Sequence, residues 1–314
     1  MLTPNVDLII KTVKKMGGKI KPISVDRYVY EIKLRNKVFI FASKFSIKKN
    51  SISSPLLSRY KDLTYTVLHK KRIRMPKTAV IKNNDSKNKI IRTLSFFNFP
   101  IIIKDAQGSE SKGVFSNVRN QKEALQIIDE IKNKYTHLII QERASGQEYR
   151  VLILDNKVLA ALNFIPPFIV GNGKNTVRKL IEKMQKNTPE KTPLNKHLLQ
   201  LLKQQGEDID TIPTKNKKIY IRKNACLAEG GTSVDVTEKI NPQFAKILSE
   251  AARSLGLKLA GIDVFCENIE TAEKNYQLIE VNGKPDLYIH HKPTKGKKRN
   301  VIKEILNHII THEI

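Results

Sequence analysis

The chain has 314 residues, 40% of them hydrophobic, enough to bury a sizeable core in two or three lobes and too many for a disordered protein. Its 57 Lys and Arg against 30 Asp and Glu give a formal net charge of +27, which fits either a lysine-rich solvated surface or an acidic partner such as a nucleotide, an acidic peptide or nucleic acid. No run reaches the roughly 18 apolar residues of a membrane span, and two cysteines, Cys226 and Cys266, are too few for a disulfide framework or a zinc site, so a cytoplasmic protein is expected.

Val6, Ile9, Ile10, Val13 and Met16 recur at helical spacing and predict a helix ending at Gly17-Gly18. Asp7 and Lys11 interrupt this apolar start, so no secretory leader is expected. Tyr28 to Leu34 and Val38 to Ala42 read as a hairpin around Arg35-Asn36-Lys37, followed by a polar, Ser-rich stretch from Ser43 to Ser58. Asp62 is placed to cap a helix running to Lys71 before Pro76, which closes a small N-terminal lobe near residue 85.

Pro100 to Lys104 is a short β-branched run, hence a buried strand, and a polar glycine-containing loop follows from Gln107 to Gly113. Asn120-Gln121-Lys122-Glu123 is a capping-box pattern, opening a helix with Ala124, Ile127, Ile128 and Ile131 on one face. His137 to Gln141 is the next strand, and Tyr149 to Leu154 and Lys157 to Phe164 pair around Asp155-Asn156. Residues 171–218 form a polar, largely helical excursion, followed by a strand from Lys218 to Lys223. Asn241-Pro242 opens a helix that buries Phe244, Ile247, Leu248, Ala251 and Leu255 and closes at Gly256. Leu259 to Phe265 and Tyr276 to Asn282 are strands, and Ile302, Ile305, Leu306 and Ile309 line a final amphipathic helix. Strands alternating with helices give an α/β or α+β plan and exclude a helical bundle.

Four constellations bear on chemistry. The two-residue period of a strand puts Glu280 and Asn282 on one face, and Asp263 lies in the preceding strand. An antiparallel pairing would bring three oxygen-bearing side chains together, a set that suits magnesium; the alternative is an ordinary polar strand face. Lys104 ends a buried strand before a loop whose free N–H groups could close over phosphates, or it is a solvated lysine beside a surface turn. Gln141-Glu142-Arg143-Ala144, with Glu148 beyond, could offer backbone to an adenine edge and a carboxylate to ribose hydroxyls, or be a strand end and a turn. Arg222 could stabilise a transferring phosphoryl group, or form a surface ion pair. His290-His291 lacks metal-site spacing, Cys226 reads as a buried thiol, and no Gly-x-Ser-x-Gly motif occurs.

These features occur in an order that resembles the ATP-grasp family, most like the ATP-grasp module of cyanophycin synthetase and of bifunctional glutathione synthetases. The likeness is carried by Ser54-Pro55-Leu56 with Lys61-Asp62-Leu63-Thr64, Phe99 to Lys104, Gln141 to Arg150, Val170 to Thr176, Arg222 with Gly230 to Thr237, Ala260 to Val264, and Ile279 to Asn282. The resemblance implies two α+β lobes clasping ATP behind a small N-terminal α/β domain: an N-terminal lobe over 1–85, a small subdomain over 86–145, and a large subdomain over 146–314 with an insertion at 171–218. It implies that Lys61 and Lys104 contact phosphates, and that a mobile loop with Gly108, Ser109, Ser111 and Gly113 covers them. Gln141, Glu142 and Ala144 would line the adenine site, Glu148 would hold the ribose, and Asp263, Glu280 and Asn282 would bind magnesium, or manganese in its place. Arg222 would steady an acyl phosphate. Relatives often have Glu where Gln141 stands, Asn where Cys226 stands, and Ala-Ala-Pro-Gly where Gly283-Lys284-Pro285-Asp286 stands.

The implied activity is that of an ATP-dependent, ADP-forming carboxylate–amine ligase. Its partners would be an amino-acid or peptide carboxylate and an amine, with no nucleic acid or membrane; a homo-oligomer is compatible with the sequence. The rival readings are an ATP-grasp phosphotransferase and a basic nucleic-acid-binding protein, the latter disfavoured by the even spread of lysine and the lack of interleaved aromatics.

Overall fold

The computed structural model describes residues 3–42, 50–107, 113–186, 188–225 and 227–312. In chain order they form α1 (Pro4–Lys15), β1 (Lys19–Ser24), β2 (Val29–Leu34), β3 (Lys37–Ala42), α2 (Ser54–Arg59), α3 (Lys61–Lys70), β4 (Thr78–Lys82), α4 (Lys87–Leu94), β5 (Ile101–Asp105), β6 (Val114–Val118), α5 (Gln121–Ile131) and β7 (His137–Glu142). There follow β8 (Gln147–Leu154), β9 (Lys157–Ile165), β10 (Phe168–Val170), α6 (Val177–Gln185), α7 (Lys196–Gln204), β11 (Lys218–Tyr220), β12 (Thr232–Asp235), α8 (Pro242–Ser254), β13 (Leu259–Cys266), β14 (Tyr276–Asn282), α9 (Tyr288–His291) and α10 (Val301–His312).

Local chemistry sets most boundaries. Thr3 caps α1, Asn120 caps α5 and Asn241 caps α8, each accepting from an N–H of the first turn. Asp155 and Asn156 both have positive φ, 46° and 66°, as a tight hairpin between β8 and β9 requires. Asp62 is not a cap: α3 starts one residue earlier with Tyr60 at its N-cap, and Asp62 lies in the first turn, where its charge suits the helix dipole. The strand expected from Lys218 to Lys223 stops at Tyr220, leaving Arg222 beyond it. The sequence reading had no counterpart for β1, whose residues are largely exposed and include Pro22 on an edge strand, or for α2 within the Ser-rich stretch.

The chain divides into two units. The first comprises residues 1–161, 237–288 and 300–314. It contains the sheet β1-β2-β3, the sheet β4-β7-β5-β6 and, side by side, β9, β8, β13 and β14; the strands of the first two sheets pair antiparallel throughout, and β13 runs antiparallel to both β8 and β14. One core joins Val6, Ile9 and Val13 of α1 to Ile32 and Leu34 of β2, Leu152 of β8, Leu259 of β13 and Ile302, Ile305 and Leu306 of α10. Another packs Leu94 of α4 and Ala124 and Ile128 of α5 on Ile101, Ile103, Leu138 and Ile140 of β5 and β7.

The second unit comprises residues 162–236 and 289–299. The last four residues of β9 pair with β12, and β10 pairs with β11. Helices α6 and α7 close on the latter pair through Val177, Ile181, Leu198, Leu202, Ile219 and Ile221. Residues 289–299 are fastened to β12: Lys295 forms a parallel bridge with Val234, and the Arg299 guanidinium donates to both oxygens of Asp235 at 3.0 and 2.8 Å. No described helix is long and apolar enough to cross a membrane.

Candidate nucleotide and metal site

In the first unit, antiparallel register sets Arg150 of β8, Asp263 of β13 and Glu280 of β14 in one row across three neighbouring strands. The row depends on a bulge. Asp263 faces Glu280 but Val264 faces Leu278, so Ile279 is the extra residue on β14. Tyr276 and Leu278 before it are buried, as is Val281 after it, so the bulge reverses the strand's phase and leaves Glu280 and Asn282 only partly covered. Asn282 lies two residues beyond Glu280, opposite Gly261, where a Cβ would meet Pro285 at 2.8 Å. Arg150 grips Asp263 with two bonds, Nε to Oδ1 and a terminal nitrogen to Oδ2 at 2.7 Å. Lys61, the first residue of α3, reaches Glu280 at 3.4 Å, and its N–H bonds to the Ala106 carbonyl at 3.0 Å.

The sheet β4-β7-β5-β6 carries the second lysine. Lys104 is buried and donates to Gln141 Oε1 at 2.8 Å, while Gln141 donates onward to the Thr78 hydroxyl at 2.9 Å. Glu142 accepts from the Asn98 N–H at 3.1 Å. Beyond β7 the chain passes through Ala144, half-buried, and turns at Gly146 to enter β8, where Glu148 is also partly buried. Gly146 has φ +95°, and a Cβ on it would lie 2.6 Å from the Cys266 backbone. Gly113 closes the expected phosphate loop; Gly108, Ser109 and Ser111 lie outside the described residues, as does Cys226.

These groups bias one another. Burial, opposed by Glu280 and reinforced by Lys61, brings Lys104 down to about 8. Burial and the neighbouring Asp263 raise Glu148 to about 7, against the pull of Arg150. Burial raises Asp263 to about 6 despite Arg150. Burial works to lower Arg150, but Asp263 with Glu148 and Glu280 together hold the guanidinium above its ordinary value. A buried cluster of lysine, arginine and carboxylates perturbed in this way is the pattern of a functional site.

Arg222 belongs to the second unit, where it pairs with Glu229; that carboxylate also accepts from the Thr192 hydroxyl at 3.3 Å. A RimK-like ATP-grasp domain model matches residues 58–227, more than half of the 314. The chain belongs to the RimK-like ATP-grasp family. A cyanophycin synthetase of Synechocystis sp. is 29% identical over 260 residues, covering 79% of this chain and 30% of that protein. The bifunctional glutathione biosynthesis protein GshAB of Clostridium perfringens is 30% identical over 272 residues, covering 82% of this chain and 35% of that one. The chain thus spans about a third of the length of these relatives. The solved bifunctional glutathione synthetase from Pasteurella multocida superposes with a TM-score of 0.70 at 21% identity, over 98% of this chain and 44% of that one. The ATP-grasp fold expected from the sequence is therefore the fold observed.

Among the described residues of this RimK-like chain, no three His, Cys, Asp or Glu stand close enough to hold a metal by themselves. Asp263 and Glu280 as register partners, with the Asn282 carbonyl along the same strand, offer a partial oxygen set. That fits magnesium, which binds through one or two carboxylates and completes its shell with water and substrate phosphates. The sequence reading missed Arg150. Its signal was present, since Glu148 and Arg150 are two apart in one strand and share a face.

Proposed function

We propose that the chain is an ATP-dependent, ADP-forming carboxylate–amine ligase that makes an amide or peptide bond on an amino-acid or peptide substrate through an acyl phosphate. The observation that carries this reading is the gathering of Lys61 and Lys104 beside the Asp263–Glu280 pair: Lys61 lies 3.4 Å from Glu280, and the same carboxylate perturbs Lys104. Hydroxide is a poor leaving group, so a carboxylate needs activation before an amine can displace it. The γ-phosphoryl group of ATP passes to a carboxylate oxygen, the amine attacks the acyl carbon, and phosphate leaves as the amide forms.

Lys61 and Lys104 bind and orient the phosphates. Lys104 is aimed by Gln141, which is itself held by Thr78. Asp263, Glu280 and Asn282 would hold magnesium, or manganese in its place, which when bound would supply positive charge to the transferring phosphoryl group. The backbone from Gln141 through Glu142 to Ala144 borders the adenine, and Glu148 accepts from the ribose hydroxyls. The loop from Gln107 to Gly113 excludes water from the acyl phosphate. For Arg222 the family pattern supports a role at the acyl phosphate. We read residues 1–85, 86–145 and 146–314 as N-terminal lobe, small subdomain and large subdomain, and the cytoplasm as the site of action.

A screen of ADP release over amino acids and short peptides, with product masses, tests the proposal. ADP release that depends on both a carboxylate and an amine, with a product lighter than its two substrates by one water, is the expected result. ADP release with phosphate left on a hydroxyl would replace the ligase by a phosphotransferase.

A further inference from the structure

Each carboxylate of the candidate metal pair already has a side-chain cation on it. The Arg150 guanidinium spans both oxygens of Asp263, and Lys61 lies 3.4 Å from Glu280. All four side chains are largely shielded, with exposures of 22% and 14% for Arg150 and Asp263 and 17% and 29% for Lys61 and Glu280. A bidentate guanidinium–carboxylate pair in such a setting is a strong contact. A divalent cation arriving alone would have to approach two positive side chains and compete for oxygens they already hold. It would also strip Arg150 of its partner while offering no anion in return, and a buried charge left unpaired is costly.

We propose that Arg150 and Lys61 are built-in counter-ions that keep the Asp263–Glu280 pair closed to free divalent cations, so that the metal enters only together with an anionic nucleotide. The phosphates supply what the bare cation lacks, a new partner for each displaced positive group. Arg150 is thereby a positioning residue, acting through Asp263. The inference rests on the reading of Asp263 and Glu280 as metal ligands.

Manganese binding, followed by the electron paramagnetic resonance signal of the free ion, tests it without any turnover. The measurement is made on the full chain, alone and with a non-hydrolysable ATP analogue, and the manganese taken up by the same concentration of analogue without protein is subtracted. The wild type should bind manganese weakly alone and much more tightly with the analogue. Arg150→Gln and, independently, Lys61→Gln should each tighten binding of manganese alone by about tenfold or more, since each removes a competing charge. Arg150→Lys, which keeps the charge and loses the fork, should fall between. Asp263→Asn should abolish binding of manganese alone, and with the analogue should leave no uptake beyond that of the analogue itself. Circular dichroism and thermal melting establish that each variant is folded, and Lys61→Gln supplies the result if Arg150→Gln is not. Unchanged binding of manganese alone in folded Arg150→Gln and Lys61→Gln overturns the counter-ion role, as does a wild type that binds the bare ion as tightly as with nucleotide. Absence of binding even with the analogue, or indifference to Asp263→Asn, removes the metal assignment itself.

Discussion

At the scale of single residues, Asp263 and Glu280 are proposed to carry the charge that holds the metal, in a row where the two side chains are 14% and 29% exposed. Asp263→Asn and Glu280→Gln should each lower ADP release by about a hundredfold or more while leaving the circular dichroism spectrum unchanged; near-wild-type rates in both would remove them from the site. Glu148 gives a second test. Its carboxyl is raised from 4.5 to about 7, chiefly by burial, so the folded state keeps a proton that the unfolded chain loses. That contribution to stability is fully present below about pH 4.5 and is lost as pH rises to about 7, amounting to at most about 3 kcal/mol. Glu148→Gln should therefore flatten the fall in melting temperature across that window and be more stable than the wild type at pH 7.5. Lys104, depressed to about 8, acts in the other direction only at higher pH, where stability rises toward 10.5. A difference between variant and wild type that is constant from pH 4.5 to 7.5 would contradict the assignment of the shift to Glu148.

At the scale of elements, the connection from β7 to β8 is tightly constrained at Gly146. Gly146 combines a left-handed backbone with a Cβ position 2.6 Å from the Cys266 main chain, so no side chain fits without moving a strand. Gly146→Ala should cost about 2 kcal/mol or more in denaturant unfolding and weaken nucleotide binding, because Ala144 and Glu148 flank the displaced turn. Unfolding and binding both like the wild type would mean that the turn yields freely. Elements with strong local signals were legible in the sequence: the periodic helices, the Asp155-Asn156 hairpin, the Asn120 and Asn241 caps and the two acidic strands. Those that depend on distant partners were not. β4 pairs with β7, whose residues lie more than fifty positions later; Thr78, Val80 and Ile81 give a short β-branched signal, but nothing within Thr78–Lys82 says which strand it joins. The bulge at Ile279 was equally silent. A strict two-residue period would have put Tyr276 and Leu278 on the face of Glu280, whereas they are buried in the core.

At the scale of the whole molecule, the order of motifs identified the family, while the composition of the units was not legible, because residues 289–299 join 162–236 through contacts such as Arg299 with Asp235. Net charge is the property that only the whole chain carries. Of its +27, little resides at the candidate site, where Lys61, Lys104 and Arg150 face Glu148, Asp263 and Glu280, three of each sign. The excess lies elsewhere, so any attraction to polyanions should be diffuse and separable from the chemistry. Binding of RNA or DNA fragments should fall steeply between about 50 and 200 mM salt, as counterion release requires. Over the same range ADP release should change far less, because buried, locally balanced charges are poorly screened. Glu280→Gln should silence ADP release and leave the nucleic-acid titration untouched. Tight nucleic-acid binding that persists at high salt, or ADP release that requires nucleic acid, would show that the surface charge serves the reaction and would reinstate a nucleic-acid partner.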